Sequence, residues 1–150
     1  MCKEITRGST MKVYVASSWR NNRQPDVVAA LRNYEHEVYD FRNPGDGDCG
    51  FHWSEIDPNW QKWTPEQYRN NLSHQIAIDG YKKDYKAMIW ADACVLVMPC
   101  GRSAHLEAGY FVGANKILII LIDDGEPELM YKLAGQVCIT IDEVCKCLDQ

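Results

Sequence analysis

The stretch 94–122 reads CVLVMPCGRSAHLEAGYFVGANKILIILI and predicts a strand, a helix and a second strand. Apolar runs at 94–98 and 117–122 form the two ends of this unit, and a proline and a glycine follow the first run. The segment between the two runs carries a single acid, Glu107. A carboxylate in the first turns of a helix, just beyond the end of a parallel strand, lies where open α/β sheets keep their ligand crevice. Glu107 is therefore the candidate reactive group.

The sequence neighbours of Glu107 favour a functional role for this acid. A solvated helix acid usually has polar neighbours, whereas the residues beside this one are Leu106, Ala108, Gly109, Tyr110 and Phe111. The alternative is a structural acid, and sequence alone leaves both roles open. His105, two positions earlier, is expected to face solvent.

Further apolar runs and helical patterns alternate along the rest of the chain. They predict strands at 11–17, 37–41 and 137–141, a helix from Pro25, a helix from Thr64 with a weak point at Gly80, a short helix at 129–133 and a closing helix from Asp142. This alternation predicts an α/β fold. We expect a single-domain, flavodoxin-like (Rossmann-like) three-layer sandwich with a five-stranded parallel sheet.

The composition fits one domain, 11–150, preceded by a tail at 1–10. The chain has 150 residues, of which 46% are hydrophobic, enough for one core. A net charge of −5 argues against a nucleic-acid polymer as partner, because no basic stripe is present. No apolar run approaches the roughly 20 residues of a membrane helix, and residues 1–10 lack the apolar core of a signal peptide. We expect a cytoplasmic protein that binds a small molecule and no membrane.

Sequence motifs for metals and nucleotide cofactors are missing. The seven cysteines are odd in number and form no CxxC pair, which argues against a disulfide framework and a zinc site. No GxGxxG follows the first strand, and neither a P-loop nor HExxH occurs. We expect no metal and no cofactor, and we interpret Cys100 as a packing residue rather than a catalytic thiol.

Two groups of residues at the predicted strand ends are candidates for substrate binding. The group after the first strand is Ser17, Ser18, Trp19 and Arg20. The group that opens the helix of Glu107 is Gly101, Arg102 and Ser103. Free amides at a helix N-terminus favour an anion such as a nucleotide phosphate. The alternative, two polar loops without a ligand, stays open.

The segment 42–64 has the composition of a long binding loop or lid, with three glycines, two prolines and three tryptophans. Phe51 and Trp53 are candidates for stacking on a heteroaromatic base, and His52 is a candidate for a hydrogen bond to its edge. The two later tryptophans are interpreted as a small core that holds the loop in place.

Asp84 is the second carboxylate of interest because it borders the apolar face of its predicted helix. An acid at such a border can have a raised pKa and hold a proton. The alternative is a boundary residue paired with Lys83 or Lys86, and the spacing does not decide between the two.

Four segments together resemble the nucleoside 2-deoxyribosyltransferase superfamily, which includes nucleoside deoxyribosyltransferases and (deoxy)nucleoside 5′-monophosphate N-glycosidases. They are Tyr14 in the first strand, SSWRNNRQ at 17–24, KKDYKAMIWAD at 82–92 and GRSAHLEAGYFVGANK at 101–116. The resemblance covers about 11–141, and its most specific element is the run EAGY at 107–110.

The resemblance implies roles for three residues in the cleavage of an N-glycosidic bond. Glu107 would attack the anomeric carbon and form a glycosyl ester, Asp84 would protonate or orient the departing base, and Tyr14 would hydrogen-bond Glu107. The substrate would be a (deoxy)nucleoside or its 5′-monophosphate, and the sugar would pass to another base or to water. A homo-oligomer, a dimer or higher, is also implied, because the family builds its sites between subunits.

Departures from the family pattern leave the substrate open. Ser103 and His105 stand where the family has small residues. Glu128 begins the segment that is Asn-Leu-Met in the transferases, and an acid there disfavours phosphate. Ser18 and Arg20, in contrast, match the phosphate-binding residues of the nucleotide hydrolases.

Two other functions compete with N-glycosidic cleavage of nucleosides or nucleotides. A non-catalytic nucleotide-binding or sensing module would use the same crevice without cleavage. Cleavage of NAD at its nicotinamide bond would use an analogous glutamate, and the loop chemistry offers it no positive support.

Overall fold

The computed structural model describes residues 9–149, so most of the predicted tail, 1–8, lies outside the described residues. The helices and strands, in chain order, are β1 (Lys12–Ala16), α1 (Gln24–Asn33), β2 (Glu37–Asp40), α2 (Pro65–Asn71), α3 (Gln75–Trp90), β3 (Ala93–Val97), α4 (Arg102–Gly113), β4 (Ile117–Leu121), β5 (Gln136–Cys138) and α5 (Ile141–Leu148). Short 3₁₀ turns occur at Trp53–Glu55, Trp60–Lys62 and Leu129–Leu133. Within the described range, every helix is too short or too polar to span a bilayer.

The five strands form one parallel sheet with the order β2-β1-β3-β4-β5. The sheet lies in the first of two compact units, which holds the described residues up to Tyr39 and from Trp90 onward. This order is the flavodoxin-like one, in which the chain reverses direction across the sheet between β1 and β3. The predicted fold class is confirmed.

Successive side chains of the central strands point to opposite faces of the sheet, which divides the core of this unit into two layers. Val13 and Val15 of β1 share a buried cluster with side chains of α1 and α5. Tyr14, which points to the opposite face, lies against Phe111 of α4 with ring centroids 5.7 Å apart. The helices α1 and α5 therefore cover one face of the sheet, and α4 covers the other.

The predicted fifth strand, 137–141, ends earlier than its apolar pattern suggests. Thr140 caps α5 through Oγ1, which accepts a hydrogen bond from the Glu143 amide at 3.1 Å. The Glu143 carboxylate in turn accepts from the Ile139 amide at 2.8 Å. These two bonds fix the start of α5 directly after the strand, so the chain leaves the sheet after Cys138.

The second unit, Asp40–Ile89, contains the helical region that was predicted to weaken at Gly80. Its start is as expected, because Thr64 and Gln67 form a reciprocal capping box. The predicted weak point is wrong, since the break falls between α2 and α3 and α3 runs through Gly80. At the break, the His74 ring accepts a hydrogen bond from the Ile76 amide at 3.1 Å and caps the new helix.

An aromatic cluster within the second unit explains the glycine in α3. The Trp53 ring lies edge-on to Phe51 at 4.7 Å, to Trp63 at 5.6 Å and to Tyr68 at 5.9 Å between centroids. A Cβ at position 80 would lie 3.0 Å from both Cβ and Cδ2 of Phe51. Gly80 therefore allows the Phe51 ring to pack directly on the helix backbone.

Gly80→Ala is expected to lower the free energy of unfolding by about 1 kcal/mol, because the packed Phe51 ring has little room to move away from the added methyl group. The matched control is Gly113→Ala at the end of α4, where an added Cβ meets nothing within 4 Å. That change should raise stability by about 0.5–1 kcal/mol through helix propensity. Urea unfolding measures both, and equal gains at the two positions would contradict the packing role of Gly80.

Candidate active site

The carboxyl ends of β1 and β3 meet where the strand order reverses, and side chains that follow β1 bond them together. Ser17 Oγ donates a hydrogen bond to the Val97 carbonyl at 2.9 Å. The buried Asn21 donates through Nδ2 to the carbonyls of Val97 at 3.1 Å and Pro99 at 3.0 Å. The backbone leaving β3 is therefore held against the backbone leaving β1, at the ligand crevice of this fold.

The residues predicted to bind substrate after β1 have different surroundings. Ser17 is bonded to the sheet as described, and Ser18 Oγ accepts a hydrogen bond from the Arg20 amide at 3.2 Å. Trp19 and Arg20 are exposed. Substrate binding by the four residues stays a prediction. Sequence reasoning missed Asn21, since no local pattern distinguishes this buried amide from the exposed residue that follows it.

Glu107 lies half-buried on α4, on the side of the helix that turns toward the sheet. Ala104, Ala108 and Phe111 are the buried positions of α4, and Glu107 falls three residues after the first and four before the last. The charge of Glu107 also affects the pKa values of two nearby cysteines, Cys94 and Cys100. Burial raises the pKa of the Cys94 thiol well above its usual value, and the Glu107 carboxylate raises it further.

Burial and the same carboxylate raise the pKa of Cys100, in the segment between β3 and α4. Burial is the main cause that raises the pKa of Cys100 to about 12, and the charges of Glu107 and Asp123 add to it. A thiol with this pKa is protonated at neutral pH, as expected of a packing residue. Glu107 is therefore within electrostatic reach of both β3 and the turn that follows it.

Tyr14 lies in β1 beside Cys94 in β3, because the two residues are partners in the parallel register. The side chain is fully buried. Its ring stacks on Tyr39 of β2 with centroids 5.3 Å apart, in addition to its contact with α4. The first unit thus gathers Tyr14, Cys94 and the buried side of α4 on one face of the sheet, and the hydrogen bond from Tyr14 to Glu107 stays a prediction.

His105, which was expected to face solvent, is only partly exposed and bonds at both ring nitrogens. Nδ1 lies 2.8 Å from the Gly101 carbonyl and Nε2 lies 2.9 Å from the Tyr131 hydroxyl. Because a carbonyl only accepts, Nδ1 donates to Gly101. The Tyr131 hydroxyl, which bonds Nε2, also lies 3.3 Å from Met98 Sδ. The two rings also stack, with centroids 5.8 Å apart. This partner is 26 residues away in sequence, so no local pattern reveals it.

The three residues predicted to bind substrate at the start of α4 are exposed: Gly101, Arg102 and Ser103. The carbonyl of Gly101 is used by His105, which ties the start of α4 to the segment after β4. Anion binding by these residues stays a prediction.

A groove of about 590 Å³ opens at the carboxyl ends of β3, β4 and β5 in the first unit. It is lined by Arg23, Pro99, Ile122, Asp123, Asp124 and Ile139. Arg23 is fixed there, because Nη1 donates to the Ile122 carbonyl at 3.1 Å. Sequence reasoning singled out none of these residues for binding, since they come from separate loops.

In the second unit, Phe51 and Trp53 belong to the aromatic cluster described above. His52 donates through Nε2 to the Cys49 carbonyl at 3.3 Å, and its amide bonds Glu55 at 3.1 Å. Contacts of these three side chains with a base stay a prediction. The nearby turn 45–50 reads GDGDCG, but no helix begins there and it carries two acids, so it lacks the setting of a dinucleotide site.

Asp84 is half-buried on α3, and its neighbour Lys83 has another partner. The Lys83 ammonium forms an ion pair with Asp48. The hydrogen bond to Asp48 within this ion pair is the main cause of the raised pKa of Lys83. The charges of Asp79 and Asp84 contribute less. The alternative role for Asp84, an ion pair with Lys83 or Lys86, stays a prediction.

Among residues 9–149, no group of three histidine, cysteine or acidic side chains is placed to hold a metal ion.

Several solved structures share the fold of this chain, among them two enzymes. A 2-deoxyribosyltransferase from the bacterium Bacillus psychrosaccharolyticus has a TM-score of 0.60 and 17% identity, and the match covers 89% of each chain. The CMP N-glycosidase BcmB of Clostridium botulinum has a TM-score of 0.50 and 16% identity, over 92% of this chain and 98% of the other. No family model and no curated protein matches the chain. The chain thus has the fold of the superfamily that its motifs resemble.

Glu107→Gln is expected to speed alkylation of Cys100 by iodoacetamide at pH 8. Removing the negative charge lowers the pKa of Cys100, and each half unit raises the thiolate fraction roughly threefold. The exposed Cys49 serves as internal reference, and Glu37→Gln, an exposed acid at the start of β2, is the matched control. Peptide mass spectrometry follows each thiol. Identical Cys100 rates in the two variants would contradict the placement of Glu107.

Proposed function

We propose that this protein is an enzyme that cleaves the N-glycosidic bond of a (deoxy)nucleoside or its 5′-monophosphate and passes the sugar to another base or to water. The observation that carries the proposal is the position of Glu107. This acid is half-buried on the sheet-facing side of α4. Its charge acts at the end of β3, beside the point where the strand order reverses. Ligands of α/β sheets bind outside the carboxyl ends of the strands at such a point.

The fold likenesses support the same class of reaction. The two solved structures are a 2-deoxyribosyltransferase and a CMP N-glycosidase, and both names describe chemistry at the bond between a sugar and a base. The sequence adds the run EAGY at 107–110, which resembles the superfamily's motif around its nucleophile. The fold likeness therefore supports the class of reaction, and the motif supports Glu107 as its nucleophile.

In the proposed mechanism, Glu107 attacks the anomeric carbon while the bond to the base nitrogen breaks. The electron pair of that bond leaves with the base, and a proton from an acid neutralises it. The transition state has oxocarbenium character, which a carboxylate stabilises before it forms the ester. Water or a second base then attacks the same carbon and releases Glu107, so the configuration of the sugar is retained.

Tyr14 and Asp84 have supporting roles in this proposal. The buried Tyr14 beside Cys94 is suited to orient the carboxylate, because its ring is held between Tyr39 and Phe111. Asp84 protonates the departing base or orients it, which is the role that the family resemblance implies. Cytoplasmic location and a homo-oligomer remain predictions.

Glu107→Ala and Glu107→Gln are expected to reduce base release at least about 10³-fold, the order of effect for loss of a nucleophile. The measurement is chromatography of mixtures with a panel of ribo- and deoxyribonucleosides and their monophosphates, with and without a second free base. Glu37→Gln should keep wild-type turnover, and circular dichroism should show that all three variants fold.

Retained base release in both Glu107 variants would remove the proposal. The competing sensor function has its own signature in the same panel. It predicts that one nucleotide raises the melting temperature while no free base appears from the wild-type protein.

Asp84→Asn is expected to lower base release by about 10²-fold or more, the usual contribution of a general acid. Asp79→Asn is the matched control on the same helix, because Asp79 is exposed and accepts a hydrogen bond from Gln75. Initial rates with the substrate found in the panel measure both. Equal rates for the two variants would show that Asp84 does not donate the proton.

A further inference from the structure

Two cysteines of the first unit lie with their sulfur atoms in contact. Cys138 is the last residue of β5, and Cys147 lies in the last turn of α5. Their Sγ atoms are 3.7 Å apart. Both are free thiols in this structure, Cys138 buried and Cys147 half-buried. The proposed reaction at Glu107 uses neither of them.

We propose that Cys138 and Cys147 form an oxidative modification site, in which a peroxide converts the thiol pair into a disulfide that links α5 to the edge strand β5. A disulfide requires an S–S distance of about 2.05 Å. The sulfur atoms, now 3.7 Å apart, therefore have to approach by about 1.65 Å.

The backbone around the pair is already fixed in place on both sides. The Cys138 carbonyl accepts a hydrogen bond from the Ile122 amide at 3.0 Å, which anchors the end of β5 to the segment after β4. The helix α5 is anchored by its Thr140 cap and by buried side chains, among them Val144 and Leu148. Two thiols held in contact by rigid elements lose little further freedom when they are joined.

The chemistry starts at Cys147, which is the thiol that a dissolved peroxide reaches. Cys138 is fully buried, so a dissolved peroxide does not reach its sulfur directly. The Cys147 sulfur attacks one peroxide oxygen and the O–O bond breaks. The thiol proton joins the departing hydroxide to form water, and Cys147 becomes a sulfenic acid. The Cys138 sulfur then attacks the Cys147 sulfur, the S–O bond breaks, and its proton leaves with hydroxide as a second water. Two thiols are oxidised and one peroxide is reduced.

Cys145 lies on the same helix and supplies a matched comparison. It precedes Cys147 by two residues, which separates the two side chains by about 200° around the helix axis. Cys145 is only 1% exposed and belongs to the core cluster beneath α5. Cys147 is at the edge of that cluster, next to Cys138.

The test is to treat the full-length protein with hydrogen peroxide, block remaining thiols and digest with trypsin. Cleavage after Lys132 and Lys146 places Cys138 in peptide 133–146 and Cys147 in peptide 147–150. The expected product is these two peptides joined by a disulfide, formed equally in the Cys145→Ser variant and missing in Cys147→Ser. The melting temperature should rise by roughly 5 °C on oxidation of the wild type and of Cys145→Ser.

The proposal is overturned if the joined peptides disappear in Cys145→Ser, because Cys145 would then be the partner. It is also overturned if Cys147 is carried to sulfinic acid without any joined peptide, since a thiol in contact would have captured the sulfenic acid first. Cys147→Ser changes a half-buried position and is expected to fold, so both results can be read. Base release by the same samples separates this outcome from that of the proposed function.

Discussion

Burial of both faces of β1 and β3 is the constraint on which the rest of the first unit depends. Strands whose two faces are both buried need a layer of helices on each side of the sheet. Here α1 and α5 cover one face, and α4 covers the other. The chain must therefore cross from one side to the other between β1 and β3. The crevice at that crossing, closed by the bonds of Ser17 and Asn21 to the β3 backbone, follows from this requirement.

The electrostatics around Cys100 and Tyr131 are consistent with the proposed chemistry. Glu107 and Asp123 both raise the pKa of Cys100, and Glu128 with Asp123 contributes to the raised pKa of Tyr131, where burial is the main cause. Carboxylates from α4 and from the segment after β4 thus act on these two side chains, and Arg23 adds a positive charge beside Asp123 in the groove. Carboxylates near a reacting sugar can stabilise positive charge that develops at its anomeric carbon.

Much of the fold could be predicted from the sequence because the decisive signals are local. The two apolar runs of 94–122 with an interrupted helical segment between them specify a strand–helix–strand unit, and Thr64 specifies its own helix start. The errors come from contacts that are distant in sequence. Gly80 looked like a helix break because its reason, the Phe51 ring, is 29 positions away. His105 and Asn21 have partners in other loops, which no local pattern encodes.

In the proposed mechanism Glu107 carries the sugar between the two half-reactions, and peptide mapping of the quenched protein detects that ester. Trypsin cleavage after Arg102 and Lys116 yields peptide 103–116, in which Glu107 is the one acidic side chain. When turnover is stopped by acid during steady state, we expect a fraction of this peptide to gain the mass of one sugar residue. The sugar attached to any other peptide, or base release without any adduct in rapidly quenched samples, would contradict it.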